Sequence, residues 1–132
     1  MGNKSIWVID DDPIFRLIFS MTVKKLFQKI TIVEHENGKD ACDAFSQNID
    51  NQSSLPDCIF MDINMPKMNG WECLDKIQEL VKDEFKDRPK IFIVSSSINP
   101  EDRKRAFDYP FATDYLTKPI SIEKFQEILT SN

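Results

Sequence analysis

Residues 58–70 read Cys58-Ile59-Phe60-Met61-Asp62-Ile63-Asn64-Met65-Pro66-Lys67-Met68-Asn69-Gly70. The apolar run from Cys58 to Met61 has the length and continuity of a strand covered on both faces. It ends on an acid and passes through Asn, Pro and Gly, residues that favour turns. Near Asn69 a helical period begins that buries Trp71, Leu74, Ile77 and Val81. A strand, a carboxylate at its end and a returning helix make one β-α unit, and the rest of the chain repeats it.

Upstream, Ile6 to Ile9 forms a first strand and Asp10-Asp11-Asp12-Pro13 follows. Asp12 and Pro13 suit the N-cap and first position of a helix. On that helix Phe15, Ile18, Phe19, Thr22, Val23, Leu26 and Phe27 keep the i, i+3, i+4 spacing of a buried face. Ile30 to Val33 makes a second strand, and Gly38 opens a helix with Ala41, Ala44 and Phe45 on one side before a polar stretch from Ser46 to Pro56. Downstream, Lys82 to Pro89 has the charge pattern of a solvated helical extension and turn. Ile91 to Val94 is the fourth strand, and Asn99 caps a helix whose first turn carries Glu101 and Asp102, where the helix dipole favours acids. Tyr115 to Thr117 is the fifth strand, and Ser121 caps a last helix carrying Ile122, Phe125, Ile128 and Leu129. Five strands alternating with five helices predict an α/β fold with a doubly wound parallel sheet, because right-handed crossovers leave few other arrangements.

At 132 residues, 41% hydrophobic, 30% charged and net charge −5, the composition predicts a single domain over residues 1–132 with no output domain, and argues against direct nucleic-acid binding. The runs Ile6 to Ile9 and Ile91 to Val94 are far too short to span a bilayer, and the start lacks the apolar core of a signal peptide. Ile6 stands where a myristoylation motif after Met1-Gly2 requires Ser or Thr. No membrane insertion and a cytoplasmic location are expected. Cys42, Cys58 and Cys73 are odd in number and lack C-x-x-C spacing, so they read as small reduced hydrophobes. His35 is the only histidine, which excludes a multi-histidine metal site.

Open α/β sheets gather ligands at the carboxyl ends of their strands. Asp10 and Asp11 end strand one, Asp62 ends strand three, Ser95 follows strand four and Lys118 follows strand five. Two carboxylates 4 Å apart repel by about 4 kcal/mol at an effective dielectric of 20. A divalent cation answers that repulsion, and Mg²⁺ (or Mn²⁺) suits a few carboxylates, retained waters and a phosphate oxygen. Taken singly these residues have plainer readings. Asp10-Asp11 fits a solvated turn, Lys118-Pro119 a surface turn, Ser95-Ser96-Ser97 a polar loop, and Tyr115 a core position.

Taken together, Asp62-Ile63-Asn64-Met65-Pro66-Lys67-Met68-Asn69-Gly70, the Asp10-Asp11 pair, Ser95 and Lys118-Pro119 resemble the receiver domain of bacterial two-component response regulators. The resemblance runs from about Lys4 to Leu129 and is to the stand-alone, chemotaxis-regulator-like type. It implies a flavodoxin-like fold with strand order 2-1-3-4-5. It implies that Asp62 is the phosphoacceptor, a carboxylate nucleophile that takes a phosphoryl group from a phosphohistidine on a sensor histidine kinase or a histidine phosphotransfer protein. By the same resemblance Asp11 binds Mg²⁺ directly, Asp10 acts through a bound water, Asn64 offers its backbone carbonyl, and Lys118 pairs with a phosphoryl oxygen. Ser95 reaches that oxygen after phosphorylation and Tyr115 swings inward behind it. The face made by helix four, strand five and helix five then changes shape for an unknown downstream protein target. Such a domain is no enzyme in its own right, although it assists its own phosphorylation and dephosphorylation.

This chain departs from the family pattern in three places. Tyr109-Pro110-Phe111-Ala112 stands where the family commonly has a Gly-Ala turn, so helix four is expected to be short or bent. The Ser46 to Pro56 stretch and the charged segment after helix three look long. Two other classes compete. An aspartyl-phosphate phosphatase of the haloacid dehalogenase type uses a D-x-D motif, which Asp10 and Asp12 match in spacing, but it leaves Asp62-Met65-Pro66 unexplained. A flavodoxin-like flavin carrier needs hydroxyls and N–H groups after strand one, where three acids here would repel the flavin phosphate.

Overall fold

Strands that are apolar along their whole length must be covered on both faces, and the helices of this chain divide to do so. The computed structural model describes residues 4–51, 54–81 and 89–130. In chain order the elements are β1 (Lys4–Ile9), α1 (Pro13–Leu26), β2 (Ile30–His35), α2 (Gly38–Asn48), β3 (Cys58–Asp62), α3 (Gly70–Val81), β4 (Lys90–Ser95), α4 (Pro100–Ala106), β5 (Ala112–Thr117) and α5 (Ile122–Thr130). The strands pair in parallel in the order β2-β1-β3-β4-β5, the expected flavodoxin-like arrangement.

Alternation along the strands sorts the core into two layers. Ile6, Val8, Phe60, Phe92, Val94 and Leu116 face Phe19 and Val23 of α1 and Phe125 and Leu129 of α5. Trp7, Ile9, Ile59, Met61, Ile91 and Ile93 face Phe45 of α2 and Trp71, Leu74 and Ile77 of α3. Phe60 stacks on Phe92 at 5.1 Å and meets Phe19 edge-on at 5.0 Å, so an aromatic cluster fills the α1/α5 side.

The helices start where their capping residues place them. Asp12 Oδ1 accepts from the Ile14 N–H, Asn99 Oδ1 from Glu101 and Ser121 Oγ from Lys124. At α3 the cap is reciprocal: Asn69 Oδ1 accepts from the Glu72 N–H while Glu72 Oε1 accepts from the Asn69 N–H, both at 2.9 Å.

Several boundaries differ from the sequence expectation. α2 continues through Ser46, Gln47 and Asn48, because an exposed helix end tolerates polar side chains that look like loop. β5 begins at Ala112, drawn into the sheet by pairing with Ile91 and then shifted by an irregularity after it. Ile18 and Ile122, expected on buried faces, are more than half exposed. Ile18 instead joins Ile14, Leu17 and Met21 in an apolar stripe on the outer side of α1. Residues 82–88 of the expected extension after α3, and 52–53 of the polar stretch, lie outside the described residues.

α4 has seven residues, and the segment after it is fastened to α3. The Tyr109 hydroxyl donates to Asp75 Oδ1 at 2.6 Å and its ring lies nearly parallel to Trp71, with centroids 6.3 Å apart. The Arg105 guanidinium sits 4.6 Å above the Trp71 ring. Among the described residues no helix is long and apolar enough to cross a membrane.

Candidate functional site

Sheet register brings the chemistry-bearing residues to one edge. Ile9 pairs with Met61, Asp62 with Val94 and Ser95 with Thr117, so Asp10, Asp62, Ser95 and Lys118 all leave the sheet at its carboxyl end. The chain turns sharply after Asp62. Its Oδ1 accepts from the Ile63 N–H at 2.9 Å, and the Gly70 N–H returns to the Ile63 carbonyl at 2.7 Å. A Cβ at position 70 would lie 2.5 Å from the Asp62 carbonyl oxygen, so this close approach of α3 to β3 requires glycine. Lys67 takes a positive φ of 67° in the same loop, and the Gly38 N–H holds the Met68 carbonyl at 3.1 Å, tying the loop to α2.

Asp10 is 1% exposed and Asp62 7% exposed, while Asp11 is open to solvent. One carboxylate oxygen from each of the three lies within 4.8 Å of the others. Lys118 Nζ donates to Asp10 Oδ2 at 2.7 Å, stands 3.7 Å from Asp62 Oδ2 and rests 4.3 Å from the Phe15 ring. Burial, then the charge of Asp10 and to a smaller degree that of Asp11, push the Asp62 carboxyl up to about 6, while Lys118 and the Ile63 N–H pull it down. Burial works to lower the ammonium of Lys118, but its hydrogen bond to Asp10 and the charges of Asp62 and Asp10 outweigh that and raise it. One lysine against three carboxylates leaves the cluster negative. That deficit and the all-oxygen donor set are compatible with a hard divalent cation. Asn64 lies in the exposed loop after Asp62. The Asp12 side chain is committed to capping α1 and does not join the cluster, which weakens the D-x-D alternative.

Ser95 is wholly buried, and its Oγ accepts the Ser97 N–H at 3.1 Å. Tyr115 is buried too, with its hydroxyl donating to the Ser97 carbonyl at 3.0 Å, so the inward position is the one it occupies here. Ser97 Oγ donates to Asp102 Oδ2 of α4 at 2.7 Å. Ser97 therefore joins β4, β5 and α4, a role missed when Ser95-Ser96-Ser97 is read as a polar loop. The signal available was Asp102, an acid five residues on in the first turn of a helix. Arg16 was missed as well. Its Nη1 donates to the Asp10 carbonyl at 2.6 Å while its Nε pairs with Glu34 at 3.0 Å, bracing the backbone that carries the acids.

Fold and acidic edge together match one known family. The response regulator receiver domain family model matches residues 6–130, and the chain belongs to that family, in which phosphorylation of an aspartate is general. It is 34% identical over 118 residues to the sensor histidine kinase CheAY of Helicobacter pylori, covering 89% of this chain and 13% of that protein. It is 30% identical over 120 residues to a 14.6 kDa protein of Leptolyngbya boryana, covering 91% and 82%. It thus spans a small part of the kinase and most of the second relative. Among solved structures, a two-component response regulator from Cytophaga hutchinsonii superposes with a TM-score of 0.77 at 26% identity, covering 98% of this chain and 96% of that one. The chemotaxis protein CheY4 of Vibrio cholerae shares the fold, with a TM-score of 0.76 at 22% identity and 97% coverage of both chains.

Proposed function

We propose that this chain is a phosphorylation-controlled signalling domain in which Asp62 accepts a phosphoryl group from the phosphohistidine of a sensor kinase or phosphotransfer protein. The observation that carries it is the Asp62 carboxylate at the end of β3, with Lys118 at 3.7 Å and gathered with Asp10 and Asp11 within 4.8 Å. An Asp62 oxygen attacks phosphorus as the histidine nitrogen leaves, and Lys118 pairs with an equatorial phosphoryl oxygen. Asp10, Asp11, Asp62 and the Asn64 carbonyl would hold Mg²⁺, which supplies charge neutralisation to the transferring group. The rest of the chemistry is positioning, so the domain assists its own phosphorylation without being an enzyme for another substrate.

The new acceptor oxygens draw the Ser95 hydroxyl away from Ser97. Ser97 also holds Tyr115 and Asp102, and its displacement reaches the surface made by α4, β5 and α5, the proposed site for the downstream protein. The apolar stripe Ile14, Leu17, Ile18 and Met21 begins beside Asp12 at the mouth of the site. A donor that brings its phosphohistidine to Asp62 by way of α1 would meet this stripe, which suits a helical, apolar face on that donor.

With Mg²⁺ and a small acyl phosphate, intact-mass measurement should show one added phosphoryl group on this protein and none on Asp62→Asn. Multiple turnover of a phosphate ester without a stable adduct would move the assignment to the phosphatase class. Ile18→Asp should slow transfer from a protein donor while leaving the small-molecule reaction unchanged. Equal slowing of both would remove α1 from the donor contact.

A further inference from the structure

All three cysteines are buried thiols, but two of them meet. Cys42 on α2 and Cys73 on α3, 31 positions apart, bring their sulfurs to 2.7 Å, and the Cys42 thiol also points at the Cys73 carbonyl at 3.6 Å. The odd number of cysteines and the absence of C-x-x-C spacing conceal the pair in the sequence. Both residues sit on helices rather than loops, and the Gly38 to Met68 hydrogen bond ties the start of α2 to the loop that leads into α3. Cys58 lies in the opposite core layer, across the sheet.

We propose that Cys42 and Cys73 close to an intramolecular disulfide, with a low-molecular-weight disulfide such as oxidised glutathione as the oxidant. The Cys42 thiolate attacks one sulfur of the oxidant, forming a mixed disulfide and expelling one glutathione thiolate. The Cys73 thiolate then attacks the Cys42 sulfur and expels the second glutathione. The two protein thiols lose two protons and two electrons, and the oxidant leaves as two reduced thiols. Closing from contact to a bond length of about 2.05 Å asks for less than one ångström of movement. The order of attack follows from the environment. The hydrogen bond from Cys73 holds the Cys42 thiol below the usual thiol range, while the same bond and burial push Cys73 up. Cys42 is also the less deeply buried of the two. The bond would staple α2 to α3 behind the loop that leads away from Asp62.

The test is oxidation of the full chain with excess oxidised glutathione, acid quench, denaturation, alkylation with N-ethylmaleimide and mass analysis without reductant. The expected product is lighter by two hydrogens before alkylation and takes one alkyl group, on Cys58, instead of three. Its digest contains a peptide linking Cys42 to Cys73, and reduction restores all three alkylations. The Cys58→Ala variant should close the same bond, and Cys73→Ala should stop at a glutathione adduct on Cys42. Three alkyl groups after oxidation, a glutathione adduct that persists in the unaltered chain, or a link through Cys58 would each overturn the proposal. The unaltered chain decides the matter alone should Cys73→Ala not fold.

Discussion

Lys118 is a cation placed between two buried acids, and its removal should be felt twice. Lys118→Ala leaves Asp10 buried without its 2.7 Å partner, a loss of about 2–4 kcal/mol by urea denaturation in the absence of divalent cations. The same substitution should slow phosphoryl uptake by roughly a hundredfold, the scale of losing one charged donor to a transition-state oxygen. Asp62 gives a pH signature of known sign. Its carboxyl titrates near 6 in the fold against an ordinary 3.8, so the folded state binds more protons between those values. Its contribution is fully present below about 4, and stability falls as pH rises towards 6. Asp62→Asn should flatten that slope in chelator and gain about 1–2 kcal/mol at pH 7, less than the whole shift implies because the pocket mouth admits solvent. A steeper slope in the variant would contradict this. Gly70→Ala should cost about 1–3 kcal/mol, since the new methyl meets backbone on α3's approach to β3. The acids and Lys118 were legible because each follows an apolar run. Arg16 and Ser97 were not, because an arginine on a helix and a serine in a serine run carry no pattern of their own.

At the scale of elements, α3 owes its start to the reciprocal bonds between Asn69 and Glu72. Asn69→Ala should cost about 1 kcal/mol in a denaturant melt, and the loss should be shared, not doubled, with Glu72→Ala, because the two bonds form one box. Strands β1, β3 and β4 could be read from sequence because burial on both faces makes them uniformly apolar. β5 could be read only from Tyr115 onward. Its first half is set by pairing with Ile91, which is information held in another segment. The outward stripe of α1 was half hidden for a related reason. Isoleucine at helical spacing looks like core whether it packs inward or faces out, and Ile18 faces out.

For the molecule as a whole, the sheet concentrates negative charge at one edge, and that edge should govern its response to ions. Any ligand that binds the folded state alone adds stability as RT ln(1 + [L]/Kd), about 1.4 kcal/mol at ten times Kd. Mg²⁺ should therefore raise the thermal midpoint relative to chelator, and Asp11→Asn should blunt the increase. An unchanged midpoint in the unaltered chain would speak against cation binding at Asp10, Asp11 and Asp62. The clasp of Arg105, Trp71, Tyr109 and Asp75 would set how such events travel outward. It fastens one end of α4, while the other end hangs from Ser97 through Asp102. Seven residues make a lever arm of about 10 Å, so a displacement of about one ångström at Ser97 tilts the helix by roughly 6° about the clasp. With both ends held in this way, the short helix would act as a pointer on a pivot, turning small shifts into rotation rather than translation.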